Sequence, residues 1–136
     1  MGNTACAILG LASWFIVVLL ALGTFRVYTS AAQKKPVNSF SADGSDVPGL
    51  GQRLTRIHAN CCENIPLYIG VLLYAMVASQ TAITDPTAHW LLYARIAQST
   101  VHAISTSVPV VLVRFALFLL QTGLIVCWLW QMASHA

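Results

Sequence analysis

Four stretches of about 20 mostly apolar residues run through this chain, and they restrict its fold more than any other feature. A helix of that length and composition crosses the hydrocarbon core of a bilayer. The predicted helices cover residues 5–25, 54–83, 89–108 and 110–131. Because a chain in lipid must satisfy its backbone hydrogen bonds internally, the sequence predicts an all-α, four-transmembrane-helix bundle forming a single domain, residues 1–136.

The composition argues against an ordinary soluble domain. The chain has 57% hydrophobic and 8% charged residues, whereas about 25% of the residues in soluble domains are charged. A very apolar soluble four-helix bundle is the weaker alternative. No Lys or Arg precedes the first apolar stretch, so we expect it to be a mature helix and not a cleaved signal peptide.

The loop charges predict the orientation in the membrane. The connection between the first two helices holds five basic residues and two aspartates: Arg26, Lys34, Lys35, Arg53 and Arg56, with Asp43 and Asp46. Residues 84–88, the next connection, have no Lys or Arg. The positive-inside rule therefore predicts that the first connection lies in the cytoplasm and both termini lie outside. We expect a multi-pass protein of a bacterial inner membrane or the endoplasmic reticulum, with its polar site facing the cytoplasm. The net charge of +3 follows from this topology and does not predict nucleic-acid binding.

A polar motif, Arg53-Leu-Thr-Arg-Ile-His-Ala-Asn-Cys-Cys-Glu-Asn-Ile-Pro66, opens the second helix. At about 100° per residue, one helix face holds five polar side chains of the motif, and His58 points to the other side; the five are Arg53, Arg56, Asn60, Glu63 and Asn64. Such a face offers guanidinium groups for carboxylates, amides for a peptide bond and a carboxylate for an ammonium group. The alternative is a helix end that pairs its own charges at the headgroups, which accounts poorly for the deeper Asn60 and Glu63.

The third helix carries a second polar face, formed by Arg95, Gln98 and His102. A charged side chain inside the membrane requires a partner, and Glu63 is the only acidic residue in any predicted span. The sequence therefore predicts a Glu63–Arg95 pair, either purely structural or shared with a ligand. His102 is a candidate hydrogen-bond partner of a ligand, a general base, or a donor to a neighbouring backbone carbonyl.

Arg114 lies one turn inside the fourth helix. It either extends to the headgroups or stabilises a thiolate, because a nearby guanidinium lowers the pKa of a thiol. The four cysteines and four histidines show no C-x-x-C or H-x-x-x-H spacing, so we predict neither a metal site nor a disulfide framework.

The run RLTRIHANCCENIP resembles the second-helix signature R-x-x-R-x-H-x-N-x-x-E-x-x-P of the MAPEG superfamily, the membrane-associated proteins of eicosanoid and glutathione metabolism. The resemblance implies four-helix subunits that assemble as a homotrimer. Glutathione, the co-substrate, would bind between subunits near the cytosolic face. The family pattern places Arg53, Arg56, Asn60 and Glu63 among the glutathione-binding residues, with His58 turned towards a neighbouring subunit.

The resemblance continues in the last two helices. The run Ala94-Arg95-Ile-Ala-Gln98 is similar to the third-helix pattern A-R-x-x-(H/Y), which implies that Arg95 and Gln98 belong to the glutathione site. Arg114 matches the fourth-helix arginine credited with activating the thiol, and His102 stands where related proteins often carry tyrosine. We therefore expect Arg114 and His102 to be the catalytic residues.

Three positions depart from the family pattern: Ala59 replaces a further arginine, while Phe115 and Phe118 replace a serine and an aromatic hydroxyl. The leading hypothesis is a glutathione-dependent membrane transferase or peroxidase, whose second substrate is a hydrophobic small molecule or lipid that arrives through the membrane lipids. The first alternative is a non-catalytic lipid-binding scaffold of the same fold. The second is a small proton-coupled exporter, which predicts Glu63 without the arginines that surround it here.

Overall fold

A computed structural model describes residues 1–135 of the protein. All the regular secondary structure in these residues is helical. The five helices are α1 (Asn3–Gln33), α2 (Leu50–Val77), α3 (Thr81–Thr84), α4 (Ala88–Ile104) and α5 (Val108–Ser134). The four long helices form one bundle, and α3 is a single turn in the connection between α2 and α4.

Hydrogen bonds between the helix ends show that the long helices alternate in direction along the sequence, so that α1 and α4 run parallel. Thr4, at the start of α1, lies 2.6 Å from Thr84 just before α4, measured between their Oγ1 atoms. Trp128, near the end of α5, donates from Nε1 to Thr87 Oγ1 at 3.1 Å. Arg53, at the start of α2, donates from Nε to the carbonyl oxygen of Ala103, at the end of α4, at 2.9 Å.

These contacts place the termini Gln33, Leu50, Ile104 and Val108 at the same end of the bundle. We call it the basic end, because it carries all the Lys and Arg residues except Arg95: Arg26, Lys34, Lys35, Arg53, Arg56 and Arg114. The opposite end, near Asp85, is called the Asp85 end.

The helices differ in length from the apolar stretches in the sequence. α1 continues beyond residue 25 to Gln33, because its polar residues are still compatible with a helix. It ends with Lys34 in a left-handed conformation at φ 54° and Lys35 directly before Pro36, where a proline disfavours helical backbone. The apolar stretch predicted from composition, residues 5–25, therefore covers only part of α1. Composition alone locates the apolar stretch but not the end of the helix.

The second predicted helix, residues 54–83, ends earlier than expected, at Val77. Ser79 adopts a left-handed conformation with φ 58°. The Gln80 amide donates to the Ala75 carbonyl and the Ser79 amide to the Met76 carbonyl, a Schellman arrangement that closes a helix. A serine rarely occupies this position, which glycine usually fills, so the sequence carried no clear signal of the end.

The hydrophobic core lies between α1, α2 and α4, and α5 closes it only near the Asp85 end. Leu11, Cys61, Leu72 and Leu91 are fully buried there. Gly10 of α1 allows close approach to α4, because a Cβ at this position would overlap the side chain of Leu92. On α5 no residue from 108 to 120 is buried, and its buried residues follow later: Gln121, Ile125, Trp128 and Met132.

Three helices, α1, α2 and α5, are long and apolar enough to cross a membrane. α4 is shorter, with 17 residues, and its polar residues Arg95, Gln98 and His102 reduce its mean hydropathy. These side chains are buried within the chain itself, so α4 does not present them to lipid.

Polar contacts among its own residues stabilise the connection between α1 and α2. Lys35 Nζ lies 3.0 Å from Asp46 Oδ2, and the Ser41 hydroxyl donates to Asp43 and Asp46 at 2.7 Å. Hydrogen bonds from Ser41 and Ser45 lower the pKa of Asp43 to about 2. The ring of Phe40 lies beside two cations, Arg26 at 5.6 Å and Lys35 at 5.4 Å.

Candidate functional site

The polar motif of α2 begins in its first turn, because the helix starts at Leu50 after Gly49, which has a φ of 74°. Arg53 and Arg56 therefore lie at the basic end of the bundle, with Asn60 and Glu63 one to two turns deeper. The Arg53 guanidinium is held by the Ala103 carbonyl through Nε alone, which leaves its terminal nitrogens free to bind a ligand. Arg56 is exposed.

Arg95 is completely buried in the middle of the bundle, with 0% of its surface exposed. Its Nη1 donates to Asn60 Oδ1, and its Nη2 donates to the hydroxyl of Tyr68 at 3.1 Å. The Arg95 guanidinium also lies 5.2 Å from the centre of the Tyr68 ring. Two neutral residues of α2 therefore stabilise this cation. Asn60 and Tyr68 each accept a hydrogen bond from it, and the Tyr68 ring adds a cation–π interaction.

The predicted Glu63–Arg95 pair is wrong within the chain. Glu63 is exposed, and in the described part of the chain the one ion pair joins Lys35 and Asp46. Three residues along a helix correspond to a rotation of about 60° around its axis from Asn60 to Glu63. Asn60 is directed towards α4, and this rotation turns Glu63 away from it.

Tyr68 was not among the residues selected from the sequence. Asn60, Asn64 and Tyr68 follow each other at intervals of four along α2, so they share a helix face. That spacing was the feature of the sequence that could have identified Tyr68 as part of the polar face. Asn64 itself donates to the backbone carbonyl of Asn60 at 2.8 Å, which makes its role local to the helix.

His102 and Arg114 meet at a small cavity below the basic end. His102 is 5% exposed, and its Nε2 has no hydrogen-bond partner, nor has Nε of Arg114. The cavity measures about 10 Å³, about the volume that holds one water, and Ile57, Asn60, Gln98, Ser99, His102 and Arg114 line it. Two polar groups without partners therefore face a space that a small polar ligand atom can enter.

The electrostatic environment of this cavity is strongly positive. His102 interacts with the charges of Arg114, Arg56 and Arg53, and Arg114 also interacts with Arg56. No acidic side chain forms an ion pair with these arginines within residues 1–135. Because unpaired cations near a membrane interior are costly, this arrangement favours a ligand that carries negative charge.

Gln98 links α4 to α5. Its Nε2 donates to the carbonyl oxygen of Arg114 at 3.2 Å, and its Oε1 accepts a hydrogen bond from Gln121 Nε2 at 3.0 Å. Gln121, like Tyr68, was missed in the sequence. Its signal was a single amide in the middle of an otherwise apolar stretch of α5, since polar groups are rarely kept inside a membrane without a partner.

A cleft of about 210 Å³ extends from this cavity along α5, lined by Asn60, Gln98, Val111, Arg114, Phe115 and Phe118. The rings of Phe115 and Phe118 are stacked with their centres 6.5 Å apart. One side of the cleft thus offers a cation and amides, and the other side offers aromatic surface. The cleft suits a polar anion beside an apolar molecule.

Most of the residues selected from the sequence fall into this region, but two do not. The cleft and its rim bring together Arg53, Arg56, Asn60, Gln98, His102 and Arg114, and Arg95 lies directly behind Asn60. His58 lies on another side of α2, where its nitrogens are 3.7 and 3.8 Å from Cys62 Sγ and its ring is 5.7 Å from Phe15. Glu63 is on the outer surface of the single chain.

An all-helical chain with three long apolar helices and buried polar groups between them is an integral membrane protein. The family model for MAPEG matches residues 4–134, essentially the whole chain, and the protein belongs to the MAPEG family. This confirms the resemblance seen in the α2 motif. It also places the protein among the membrane proteins related to glutathione and eicosanoid metabolism. A comparison with curated proteins and one with solved structures each found no match.

Proposed function

We propose that this protein is a glutathione-dependent membrane transferase or peroxidase that acts on hydrophobic electrophiles. The observation that carries the proposal is the group of unpaired arginines, Arg53, Arg56 and Arg114, around the cleft that ends at Phe115. Glutathione carries two carboxylates and an ionisable thiol. The positive charge of the cleft fits these groups, and its aromatic side fits an apolar second substrate.

In this proposal the first two turns of α2 bind the carboxylates. Arg53 contributes its free terminal nitrogens, and Arg56 is accessible from outside the chain; a guanidinium binds a carboxylate with two parallel hydrogen bonds. Asn60 and Gln98 supply amide groups to the peptide bonds. Glu63 receives the ammonium group from its exposed position, and Arg95 holds Asn60 in place from behind.

The chemical step requires an ionised thiol. Arg114 stabilises the thiolate, because a nearby cation favours the anion, and the unpartnered Nε2 of His102 accepts the thiol proton. The thiolate then attacks an electrophile that rests on Phe115 and Phe118, and a carbon–sulfur bond forms as the leaving group departs. In the peroxidase reaction, two glutathione molecules reduce a hydroperoxide to an alcohol and water and leave as the disulfide. Positioning and thiol ionisation supply most of the rate.

We further propose four membrane-spanning helices, including α4, and assembly as a homotrimer with glutathione between subunits. The alternation of helix directions supports the fourth span, and the exposure of Arg56 and Glu63 supports a site that a second subunit completes. The concentration of Lys and Arg at the basic end supports a cytoplasmic site with both termini outside. Labelling of an introduced cysteine at Lys35 from outside the cell would contradict this topology. A monomer in mild detergent would contradict the trimer.

Purified protein in lipid nanodiscs, assayed with glutathione and chlorodinitrobenzene, tests the function directly. We expect glutathione to bind with a thiolate ultraviolet absorbance and the aryl conjugate to form. A parallel assay with a fatty-acid hydroperoxide measures the peroxidase reaction through glutathione disulfide. Absence of glutathione binding would refute the proposal.

One observation favours a second candidate, a lipid-binding scaffold of the same fold without catalysis. Phe115 and Phe118 line the cleft beside Arg114 and bring no hydroxyl group to it. A scaffold would bind a fatty acid in the cleft and show neither thiolate absorbance nor conjugation. The same nanodisc assays therefore separate the two candidates.

A further inference from the structure

A chain of two side-chain amides links the middle of α5 to the backbone of Arg114. Gln121 Nε2 donates to the carbonyl oxygen of Leu117 at 2.9 Å and to Gln98 Oε1 at 3.0 Å. Gln98 Nε2 in turn donates to the carbonyl oxygen of Arg114 at 3.2 Å. Both glutamines are buried, with 0% of Gln121 and 7% of Gln98 exposed.

The two ends of this chain fix the direction of both amides. The carbonyl oxygens of Leu117 and Arg114 only accept hydrogen bonds, so each must face an amide nitrogen. Gln121 therefore directs its nitrogen towards Leu117 and Gln98, and Gln98 directs its oxygen towards Gln121. With its oxygen held in this way, Gln98 presents its nitrogen towards Arg114 and the cleft.

We propose that Gln121 is a positioning residue that makes Gln98 a hydrogen-bond donor to the substrate sulfur and so selects the thiolate. This inference rests on the proposed function. The Gln98 amide nitrogen has two hydrogens, of which one is used by the Arg114 carbonyl. The other is available in the cavity that Gln98 shares with His102 and Arg114.

The orientation of the Gln98 amide, with either its nitrogen or its oxygen in the cavity, decides whether the thiolate or the neutral thiol is favoured. A thiolate accepts hydrogen bonds, whereas the hydrogen of a neutral thiol is a donor. A nitrogen of Gln98 in the cavity stabilises the anion and lowers the thiol pKa. If Gln98 turned its oxygen to the same place, the protonated thiol would be stabilised instead. The carbonyl oxygen of Arg114 and the amide nitrogen of Gln121 both oppose that reversal, and Gln121 does so without touching the substrate itself.

A purely structural bond between α4 and α5 predicts a different result. Its loss would lower the stability of the bundle and leave the ionisation of bound glutathione unchanged. The ultraviolet absorbance of the thiolate, measured as a function of pH, responds to the orientation of the Gln98 amide and not to the stability of the bundle. This measurement therefore separates the two roles.

The experiment replaces Gln121 by methionine, which has similar length and no hydrogen-bond donor, in full-length protein in nanodiscs with glutathione. We expect the pH at which half of the bound thiol is ionised to rise by about half to one unit. The thiolate fraction below that pH then falls about three- to tenfold. Gln121→Asn withdraws the amide by one methylene and is expected to act in the same direction. It serves as the second variant if Gln121→Met does not assemble.

Two further variants make the test specific. Trp128→Phe removes another buried hydrogen bond of α5, the one to Thr87, and is expected to lower stability without shifting the ionisation. In a Gln98→Met background, Gln121→Met is expected to have no additional effect, because Gln121 acts through Gln98.

Either of two results would overturn the role of Gln121: an unchanged ionisation midpoint in both Gln121 variants, or a full shift in the Gln98→Met background. These outcomes leave the proposed function intact, since the parent protein still forms the thiolate. If the parent protein binds no glutathione, the proposed function fails and the role of Gln121 fails with it.

Discussion

Arg95 and Asn60 are joined by a direct hydrogen bond from Nη1 to Oδ1 across α4 and α2, so an amide stands where a carboxylate was expected. With Tyr68 on the second terminal nitrogen, this bond stabilises a fully buried cation without a counter-ion in the described residues. The same Asn60 lines the cleft. One residue thus connects the stability of the bundle to the geometry of the candidate site.

Replacing Tyr68 by phenylalanine should destabilise the protein without changing the site. The variant leaves Nη2 of Arg95 unpaired, and loss of a hydrogen bond to a charged group costs about 1.5–3 kcal/mol of unfolding free energy. Thermal unfolding in detergent measures the loss, and glutathione affinity should remain that of the parent. Tyr93→Phe, at an exposed tyrosine of α4, is the matched control. Equal stability of the two variants would show that Tyr68 does not support Arg95.

Glu63→Gln should weaken glutathione binding without lowering stability. Glu63 is exposed and has no ion pair within residues 1–135, so no buried charge loses its partner. If Glu63 binds the ammonium group, affinity should fall about tenfold, equivalent to about 1.4 kcal/mol. Titration calorimetry and thermal unfolding of the same sample check both statements. A large loss of stability would mean that Glu63 pairs with a cation of another subunit.

Arg114→Ala should abolish most conjugation while glutathione still binds. The carboxylate contacts lie on α2, and the thiol alone loses its neighbouring cation. A thiol with its usual pKa near 8.5 is mostly protonated at neutral pH, so the thiolate absorbance should disappear in the variant. Arg26→Ala removes a cation that lies beside Phe40. It is the control for the loss of one positive charge, and it should retain the absorbance and the conjugation. If Arg114→Ala retains both the absorbance and the activity, His102 alone activates the thiol.

Asp85 should make the stability of the protein dependent on pH in the acidic range. Its Oδ1 accepts hydrogen bonds from the amide and the hydroxyl of Thr4, each at 2.7 Å, and these bonds hold the pKa of Asp85 below its ordinary value of 3.8. The stabilisation is therefore complete above about pH 5 and is lost as the pH falls through 3.8 towards the lowered pKa. Because Asp85 accepts from the first turn of α1, its bonds stabilise that helix by about 1 kcal/mol.

Unfolding of the parent and of Asp85→Asn at pH 7 and pH 3 measures this effect. The difference in stability between the two proteins should be present at pH 7 and smaller at pH 3. A difference that stays constant across this range would assign the effect to packing and not to the charge of Asp85.

The sequence singled out most of the polar residues that line the candidate site, because charged and amide side chains are conspicuous in apolar helices. The sequence was a poorer guide to which of these side chains contact each other. Arg95 was predicted to pair with Glu63, but the rotation of α2 directs Asn60 towards α4 instead, and this angle depends on helix packing. Gln121 and Tyr68 were missed because each is a single polar residue whose partner lies on another helix. The end of α2 was missed because Ser79 occupies a position where glycine is the usual signal.

The first half of α5 contains no buried residue up to position 120, and its Arg114 is joined to α4 by the hydrogen bond from Gln98 to the Arg114 carbonyl oxygen. Arg114 lies about 10 Å from Gln121 along the helix axis. A tilt of about 10° around Gln121 displaces Arg114 by about 2 Å, more than the misplacement of about 1 Å that can reduce a catalytic rate a hundredfold. In the proposed function, lipid or a second subunit packed beside this half of the helix would therefore influence the position of Arg114 from outside the core of the chain.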